Sequence, residues 1–539
     1  MHGKVPNRCP GSHQPPLLES VLAHPVLESH EPTHPTVPSA RPPQSNLAPS
    51  PALHIHPIPM QHPILPTHTI KHIPKAARPE CARALANTLN EIATCPHNLN
   101  DWMHFLNYGR EVLITPPRAG KRVSLPNVIK KRTECYLNIR DTAHTTPKFK
   151  SNSRKSVDSL SLSSIIRSKI EDGNMRAAVR LLCSDDSLAA DNSETLRGLK
   201  DKHPSLTENL QHPPDPLNTQ ALQVSDDEIL KAVRSFPAGS SGGPDGIRPQ
   251  HILDLLNDRV AGPILLPALT AFTNMLLNGE CPDAVRQILF GGRLIAIGKK
   301  DGGVRPIAIG YTLRRLAAKC ANSYVSSKIA SLLSPIQVGV GVKGGCEATV
   351  HAVRRFLDSM PQDFAIVKLD FKNAFNNLNR SKMLHEVYRA IPEIYKFCHS
   401  SYWGTSLLKF NDHIIESMVG VQQGDPLGPL LFSLTIHPLL KSLRCPLSVA
   451  YLDDVTLGGK EESLSQDITT IIENGIELGL ELNQNKCELI SSSPRQVSHP
   501  ILSFTKVDPA ESSLLGAPLT SGSAMRGLMT FNGPQIGYY

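Results

Sequence analysis

Two adjacent aspartates in an otherwise apolar stretch constrain this chain more than any other feature of its sequence. The stretch covers residues 450–455, and a second short apolar run after it ends at two glycines. This pattern predicts a strand, a tight turn and a second strand, with Asp453 and Asp454 at the turn. Adjacent carboxylates repel one another, and a bound cation that prefers oxygen ligands, such as Mg²⁺, removes that repulsion. An exposed acidic turn without a ligand fits the same pattern.

A third carboxylate ends another predicted strand. Residues 364–370 form a nearly continuous apolar run that finishes in Asp370, which precedes Asp453 by 83 residues (453 − 370). Three acids at one place suit two-metal phosphoryl or nucleotidyl transfer, in which cations activate the attacking oxygen and stabilise the leaving one. The same acids without a metal would repel one another, so a cluster of this kind favours a metal site.

A second predicted hairpin carries two cationic side chains. Residues 293–300 and 304–309 are apolar enough for two short strands, and Asp301-Gly302 supplies the turn between them. Lys299 and Arg305 then lie near the two ends of the hairpin, within reach of one anion. Arginine offers phosphate a two-pronged contact and lysine a point charge. A solvated basic face is the alternative.

Composition narrows the class of protein. The 539 residues are enough for two to four domains, and the net charge of +8 fits a nucleic-acid partner without requiring one. The eleven cysteines show no zinc-finger spacing, which predicts reduced thiols and an intracellular protein. No apolar run approaches the roughly twenty residues that span a bilayer, so we predict no membrane partner.

The N-terminal part of the chain differs from the rest. Residues 1–75 are rich in Pro and His and are predicted to be disordered. Residues 76–215 are predicted to form a mainly helical extension with a basic stretch, which suits either phosphate contact or a solvated linker. The basic residues of that stretch are Arg118, Lys121, Arg122, Lys130, Lys131 and Arg132.

A series of motifs in fixed order resembles the reverse transcriptases of LINE-type (non-LTR) retrotransposons, over about residues 220–520. The motifs are Lys-x-Asp-Gly-Gly-x-Arg-Pro-Ile (299–307), Leu-Asp-Phe-x-Asn-Ala-Phe-Asn (369–376), Gln-Gln-Gly-Asp-Pro-Leu-Gly-Pro-Leu (422–430), Tyr-Leu-Asp-Asp (451–454), Leu-Asn-x-x-Lys-Cys-Glu (482–488) and Leu515-Gly516. No single motif is decisive, whereas the complete series is highly specific.

The resemblance implies an α+β fold, that of a right-hand polymerase. Its fingers would cover residues 216–345, and its palm, built on a ferredoxin-like antiparallel sheet, residues 346–519, with a truncated tail over 520–539. Asp370, Asp453 and Asp454 match the catalytic carboxylates, which in this family hold two Mg²⁺ ions.

Six further positions match nucleotide-binding residues of the family: Lys299, Arg305, Phe375, Gln423, Gly424 and Lys486. The two cations would hold the incoming triphosphate, and Gln423 with Gly424 would support the template and the nascent base pair. Phe375 matches an aromatic gate that leaves no room for a 2′-hydroxyl and so favours dNTPs, although core packing explains the same placement. Lys486 matches a proton donor to pyrophosphate, with an ordinary surface lysine as the alternative.

The resemblance implies an RNA-directed DNA polymerase that adds dNTPs to a DNA primer on an RNA template, with nuclear action more expected than cytoplasmic. Only 23 residues (539 − 516) follow Leu515-Gly516, which is too few for a thumb or an endonuclease. The chain therefore resembles a fragment, and a catalytically silent nucleic-acid-binding remnant is the main alternative. An RNA-templated RNA polymerase is a third, against which the bulk of Phe375 argues.

Overall fold

A computed structural model of the chain describes residues 68–116, 124–138, 162–171, 173–183, 187–206, 211–299, 302–491 and 500–520. The first helices are α1 (Arg78–Thr94), α2 (Leu99–Val112), α3 (Leu125–Asn138), α4 (Leu162–Glu171), α5 (Met175–Cys183), α6 (Ser193–Asp201), α7 (Asp226–Arg234), α8 (Pro249–Leu256), α9 (Ala261–Leu277) and α10 (Asp283–Leu289). The later helices are α11 (Thr312–Leu333), α12 (Gly345–Ser359), α13 (Ala374–Asn377), α14 (Arg380–Ala390), α15 (Tyr395–Tyr402), α16 (Gly428–Lys441) and α17 (Glu461–Glu477). The strands are β1 (Ser187–Leu188), β2 (Gly292–Gly298), β3 (Val304–Gly310), β4 (Phe364–Leu369), β5 (Ser406–Phe410), β6 (His413–Ser417), β7 (Leu447–Tyr451), β8 (Asp454–Lys460), β9 (Glu488–Ile490), β10 (Thr505–Val507), β11 (Ser513–Leu514) and β12 (Ala517–Pro518).

The N-terminal helices share a core with the polymerase-like part of the chain. Helix α1 packs along α9, and the rings of Trp102 and Phe272 meet at 5.6 Å between centroids. Ile70 and Ile73 are buried in the same core, while Lys71 and His72 between them are exposed. The predicted disordered segment therefore extends too far at its C-terminal end, and its residues 1–67 lie outside those that the structure describes.

The first large sheet is organised on β2. Strand β3 pairs antiparallel with the whole of β2, while β1 and β5 pair with opposite ends of it, and β6 continues the sheet beyond β5. One face is buried by apolar side chains, among them Leu294, Ala296 and Leu408, together with Leu199 of α6. The β5–β6 hairpin lies in the range predicted for the palm, yet it extends this fingers sheet.

The second large sheet has the strand order β10-β9-β4-β8-β7. Strands β4, β7, β8 and β9 pair antiparallel with one another, and their order gives the ferredoxin-like arrangement. The predicted palm sheet is therefore confirmed, with the addition of β10 as a parallel edge strand. In β4, Val367 faces the main core and Ile366 a second apolar cluster, which explains why the strand is apolar on both faces.

The cysteines of the described residues are all free thiols. Within the same residues, no helix combines the length and the apolar character that a membrane crossing requires.

Candidate active site

The two adjacent aspartates lie at the tip of the β7–β8 hairpin, as the sequence predicted. Tyr451 pairs with Asp454, so Leu452 and Asp453 form the two-residue turn and Asp454 begins β8. Asp453 is half-buried, whereas the Asp454 side chain is exposed. Strand β8 lies in the interior of the sheet, between β4 and β7, and this position fixes where the hairpin ends.

Asp370 lies beside this tip because of the register between β4 and β8. Leu369, the last residue of β4, pairs with Val455 of β8. Asp370 follows Leu369 and Asp454 precedes Val455, so these two acids lie at the same end of the sheet. The amide of Asn483 donates a hydrogen bond of 3.0 Å to Oδ2 of Asp370, and the backbone N–H of Asp370 points at Sγ of Cys487 at 3.4 Å. The motif that contains Asn483 and Cys487 was recognised in the sequence, but these two supporting contacts were not predicted.

In addition to burial, the charge of Asp370 raises the pKa of both Asp453 and Asp454. Burial raises the pKa of Asp453 and the Asp370 carboxylate raises it further, while Arg305 and Lys299 lower it. The pKa of Asp454 rises to about 7, because the surrounding protein displaces water from this otherwise exposed carboxyl and Asp453 and Asp370 add negative charge. Lys368 opposes that rise, but it is already paired with Glu488 at 2.7 Å.

The acids fit a hard divalent cation in their donor chemistry, but they are not preassembled around one. The pKa values of Asp453 and Asp454 are raised chiefly because burial removes water from both carboxyls, and the neighbouring carboxylates add to the rise. Among the described residues, no group of three or more His, Cys, Asp or Glu side chains is close enough to hold a metal ion. The sequence predicted that the three acids cluster on a metal; the structure has them as neighbours, and their role as metal ligands stays a prediction.

The two predicted cations lie on the opposing β2–β3 hairpin. Arg305 pairs with Ile297 across the strands, and Lys299 follows two residues later, so both side chains leave the same face. Lys299 is exposed and Arg305 half-buried. Both cations lower the pKa of Asp453, so the end of the basic hairpin lies within electrostatic reach of the acidic turn.

The loop over residues 420–428 joins the palm to the fingers sheet. The backbone carbonyl of Gln423 accepts a hydrogen bond of 2.7 Å from Ala308 N–H in β3. Gly424 has a φ of 112°, and a Cβ there would lie 2.5 Å from the Ala308 carbonyl oxygen, so a larger residue does not fit. The structure thus brings both predicted residues of this loop against the strand that carries Arg305.

A buried polar network beneath this loop was missed by sequence reasoning. Arg314 of α11 forms an ion pair of 2.5 Å with Asp425, and both side chains are almost fully buried. The Tyr402 hydroxyl donates to the same carboxylate at 2.6 Å, and Arg314 also donates to Gln422 at 2.8 Å. Gln422 in turn donates to the Phe290 carbonyl at 2.9 Å. The charge of Asp425 among apolar and glycine neighbours was the available signal, because a buried charge needs a partner.

The remaining two predicted residues have different surroundings. Phe375 is 6% exposed, and its ring stacks on Phe432 of α16 at 4.6 Å. This placement suits core packing and a rigid gate alike. Lys486 is exposed in the turn that follows Asn483, whose backbone N–H bonds the Asp370 carbonyl at 2.8 Å. Its proton-donor role stays a prediction.

Comparison with known proteins agrees with the motifs. Residues 297–516 match the family described as "Reverse transcriptase (RNA-dependent DNA polymerase)". The retrotransposable element SLACS 132 kDa protein of Trypanosoma brucei gambiense is 28% identical over 285 residues, which cover 50% of this chain and 23% of that protein. The Pol polyprotein of the type-2 retrotransposable element R2DM of Drosophila melanogaster is 25% identical, with coverage of 50% and 27%. The transposon TX1 149 kDa protein of Xenopus laevis is 23% identical, with coverage of 56% and 25%.

The chain spans about a quarter of the length of these curated relatives. Among solved structures, apo telomerase from Candida tropicalis matches with a TM-score of 0.33 and 14% identity, covering 39% of this chain and 46% of that one. Residues 297–516 thus match a reverse transcriptase domain, and the relatives that this chain resembles are proteins of retrotransposable elements.

Proposed function

We propose that the reverse transcriptase domain of this chain is a working RNA-directed DNA polymerase, which extends a DNA primer on an RNA template. The observation that supports the proposal is that Asp370, Asp453 and Asp454 are neighbours at one end of the palm sheet, with Lys299 and Arg305 of the β2–β3 hairpin within electrostatic reach of Asp453. Nucleotidyl transfer needs negative and positive side chains together, because carboxylates must hold metal ions beside the reacting atoms and cations must bind the triphosphate. Nuclear action remains a prediction from the family.

The reaction joins the primer 3′-oxygen to the α-phosphorus of the dNTP, breaks the bond from that phosphorus to the β-phosphate bridge, and releases pyrophosphate. Asp370, Asp453 and Asp454 would hold two Mg²⁺ ions. When bound, such ions lower the pKa of the attacking hydroxyl and neutralise charge on the phosphates. Lys299 and Arg305 would bind the triphosphate and orient it for in-line attack. The loop that contains Gln423 would support the nascent base pair.

Primer extension on poly(rA)/oligo(dT) with dTTP tests the proposal. We expect the wild-type chain to extend the primer and Asp453→Ala to lose extension. Asp358→Asn, a neutralised acid on the exposed face of α12, serves as the matched control and should leave extension unchanged. Extension that persists in Asp453→Ala would contradict the assigned site. Primer–template binding without extension by the wild type would favour the alternative, a silent nucleic-acid-binding remnant.

Sugar selection separates a DNA polymerase from an RNA polymerase. If Phe375 is the gate, Phe375→Ala should raise the use of UTP relative to dTTP, because the ring no longer excludes the 2′-hydroxyl. Phe432→Ala removes the stacked partner without changing residue 375 and controls for lost packing. An unchanged dTTP preference in Phe375→Ala would refute the gate.

A further inference from the structure

The turn of the acidic hairpin adopts a backbone conformation that its residue disfavours. Leu452 has a φ of 59°, in the left-handed region where the Cβ of an L-residue crowds the following carbonyl. Leu452 directly precedes Asp453, so its backbone angles set the direction in which the two acids leave the turn. A strained residue at this position persists only where its surroundings hold it.

The side chain of Gln337 supplies such a hold. Gln337 lies between α11 and α12, is fully buried, and is 115 residues from Leu452 along the chain. Its Nε2 donates a hydrogen bond of 3.0 Å to the Leu452 carbonyl, and its Oε1 accepts one of 2.8 Å from the Leu452 N–H. One amide therefore binds both polar groups of the strained residue.

The backbone around Gln337 is fixed against β7. The Ala450 N–H donates to the Ile336 carbonyl at 2.7 Å, and the Val338 N–H donates to the Ala450 carbonyl at 2.9 Å. Gly339 N–H donates to Gln337 Oε1 at 3.1 Å, and a Cβ at Gly339 would lie 2.7 Å from the Leu452 nitrogen. The segment from Ile336 to Gly339 thus packs directly under the turn, with no room for movement toward it.

We infer that Gln337 is a positioning residue that holds Leu452 in its left-handed conformation and thereby aims the carboxylates of Asp453 and Asp454. Its effect on turnover rests on the proposed polymerase function. Its effect on the conformation of the hairpin is independent of that function and can be measured in a protein without polymerase activity.

Hydrogen exchange of the metal-free protein measures directly how firmly Gln337 fixes the backbone of the turn. Gln337→Met keeps the side-chain volume and removes both hydrogen bonds, so we expect amide exchange in residues 450–454 to rise roughly tenfold. Gln466→Met makes the same substitution on the exposed face of α17 and should leave that peptide unchanged. Gly339→Ala places a methyl group against the Leu452 nitrogen and should raise exchange while Gln337 itself is unchanged. Unchanged exchange in both Gln337→Met and Gly339→Ala would overturn the inference.

Kinetics then test the consequence for the acids. Gln337→Met should lower kcat for primer extension by roughly tenfold, with the KM for dTTP nearly unchanged, because the triphosphate contacts lie on the other hairpin. In the Leu452→Gly background the Gln337→Met substitution should lower kcat much less, since glycine adopts a positive φ without support. Strictly additive losses in this cycle would overturn the inference. Faster exchange in a chain without polymerase activity would support the positioning role and reject the proposed function.

Discussion

The two hairpins of the candidate site are alike in their strands and differ at their ends. Within the described residues, each has one strand that pairs on both sides (β8 and β2) and one that lies at an edge (β7 and β3). The amide of Gln337 holds the turn of the acidic hairpin, whereas Lys299 at the end of the basic hairpin is exposed. The difference follows from the side chains that each hairpin must present to its ligand. Short carboxylates must be aimed by the backbone, whereas long Lys and Arg side chains reach a phosphate from an edge.

The largest effect should come from the acidic side. Asp370→Asn removes one ligand charge while keeping the hydrogen bond to Asn483 within reach, so we expect kcat to fall by about a thousandfold or more, with little change in the KM for dTTP. Steady-state primer extension measures both. A fall in kcat of less than about tenfold would mean that Asp370 does not act with the acidic hairpin.

The buried network beneath the loop over residues 420–428 should matter for stability. Arg314→Met leaves Asp425 charged and buried without its partner, which should lower the free energy of unfolding by about 3–5 kcal/mol. Arg389→Met breaks an exposed pair with Glu386 and should change it by less than about 1 kcal/mol. Urea denaturation followed by far-UV circular dichroism compares the two. Equal effects would show that the Arg314 pair does not join palm and fingers.

The basic side should affect substrate binding more than turnover. Arg305→Ala should raise the KM for dTTP about 10- to 30-fold, because one charge-assisted contact to phosphate is lost. Arg305→Lys should recover part of that loss, and Arg355→Ala on α12 is an exposed arginine control. If Arg305→Ala lowers kcat and leaves KM unchanged, the division of roles between the hairpins is wrong.

The smallest effect concerns pH. The folded-state pKa of Asp454 is about 7, above its ordinary value of 3.8, so the folded protein binds this proton more tightly than the unfolded chain does. The resulting stabilisation is complete below about pH 4 and is lost as pH rises through about 7. Without metal, the Tm should therefore fall less between about pH 5 and about pH 8 in Asp454→Asn than in wild type. Thermal melts in EDTA measure this. Equal pH dependence would show that the acidic tip carries no uncompensated charge.

The same comparison explains what the sequence could and could not predict. Asp370 and the Asp453–Asp454 pair were found because each acid ends an apolar run, and a strand pattern is local. The β4, β7, β8 and β9 arrangement followed from the resemblance. Gln337 and the Arg314–Asp425 pair were missed, since a buried polar side chain has no periodic signature and its partner lies more than a hundred residues away.

Iron-directed backbone cleavage tests most directly whether the three acids gather on a divalent cation. Fe²⁺ with ascorbate and peroxide, in buffer without Mg²⁺, cuts the chain next to its ligands. We predict cuts near residue 370 and near residues 453–454 together, suppressed by excess Mg²⁺ and lost at both places in Asp370→Asn. Cuts near 453–454 that persist in Asp370→Asn, with none near residue 370, would contradict a shared site.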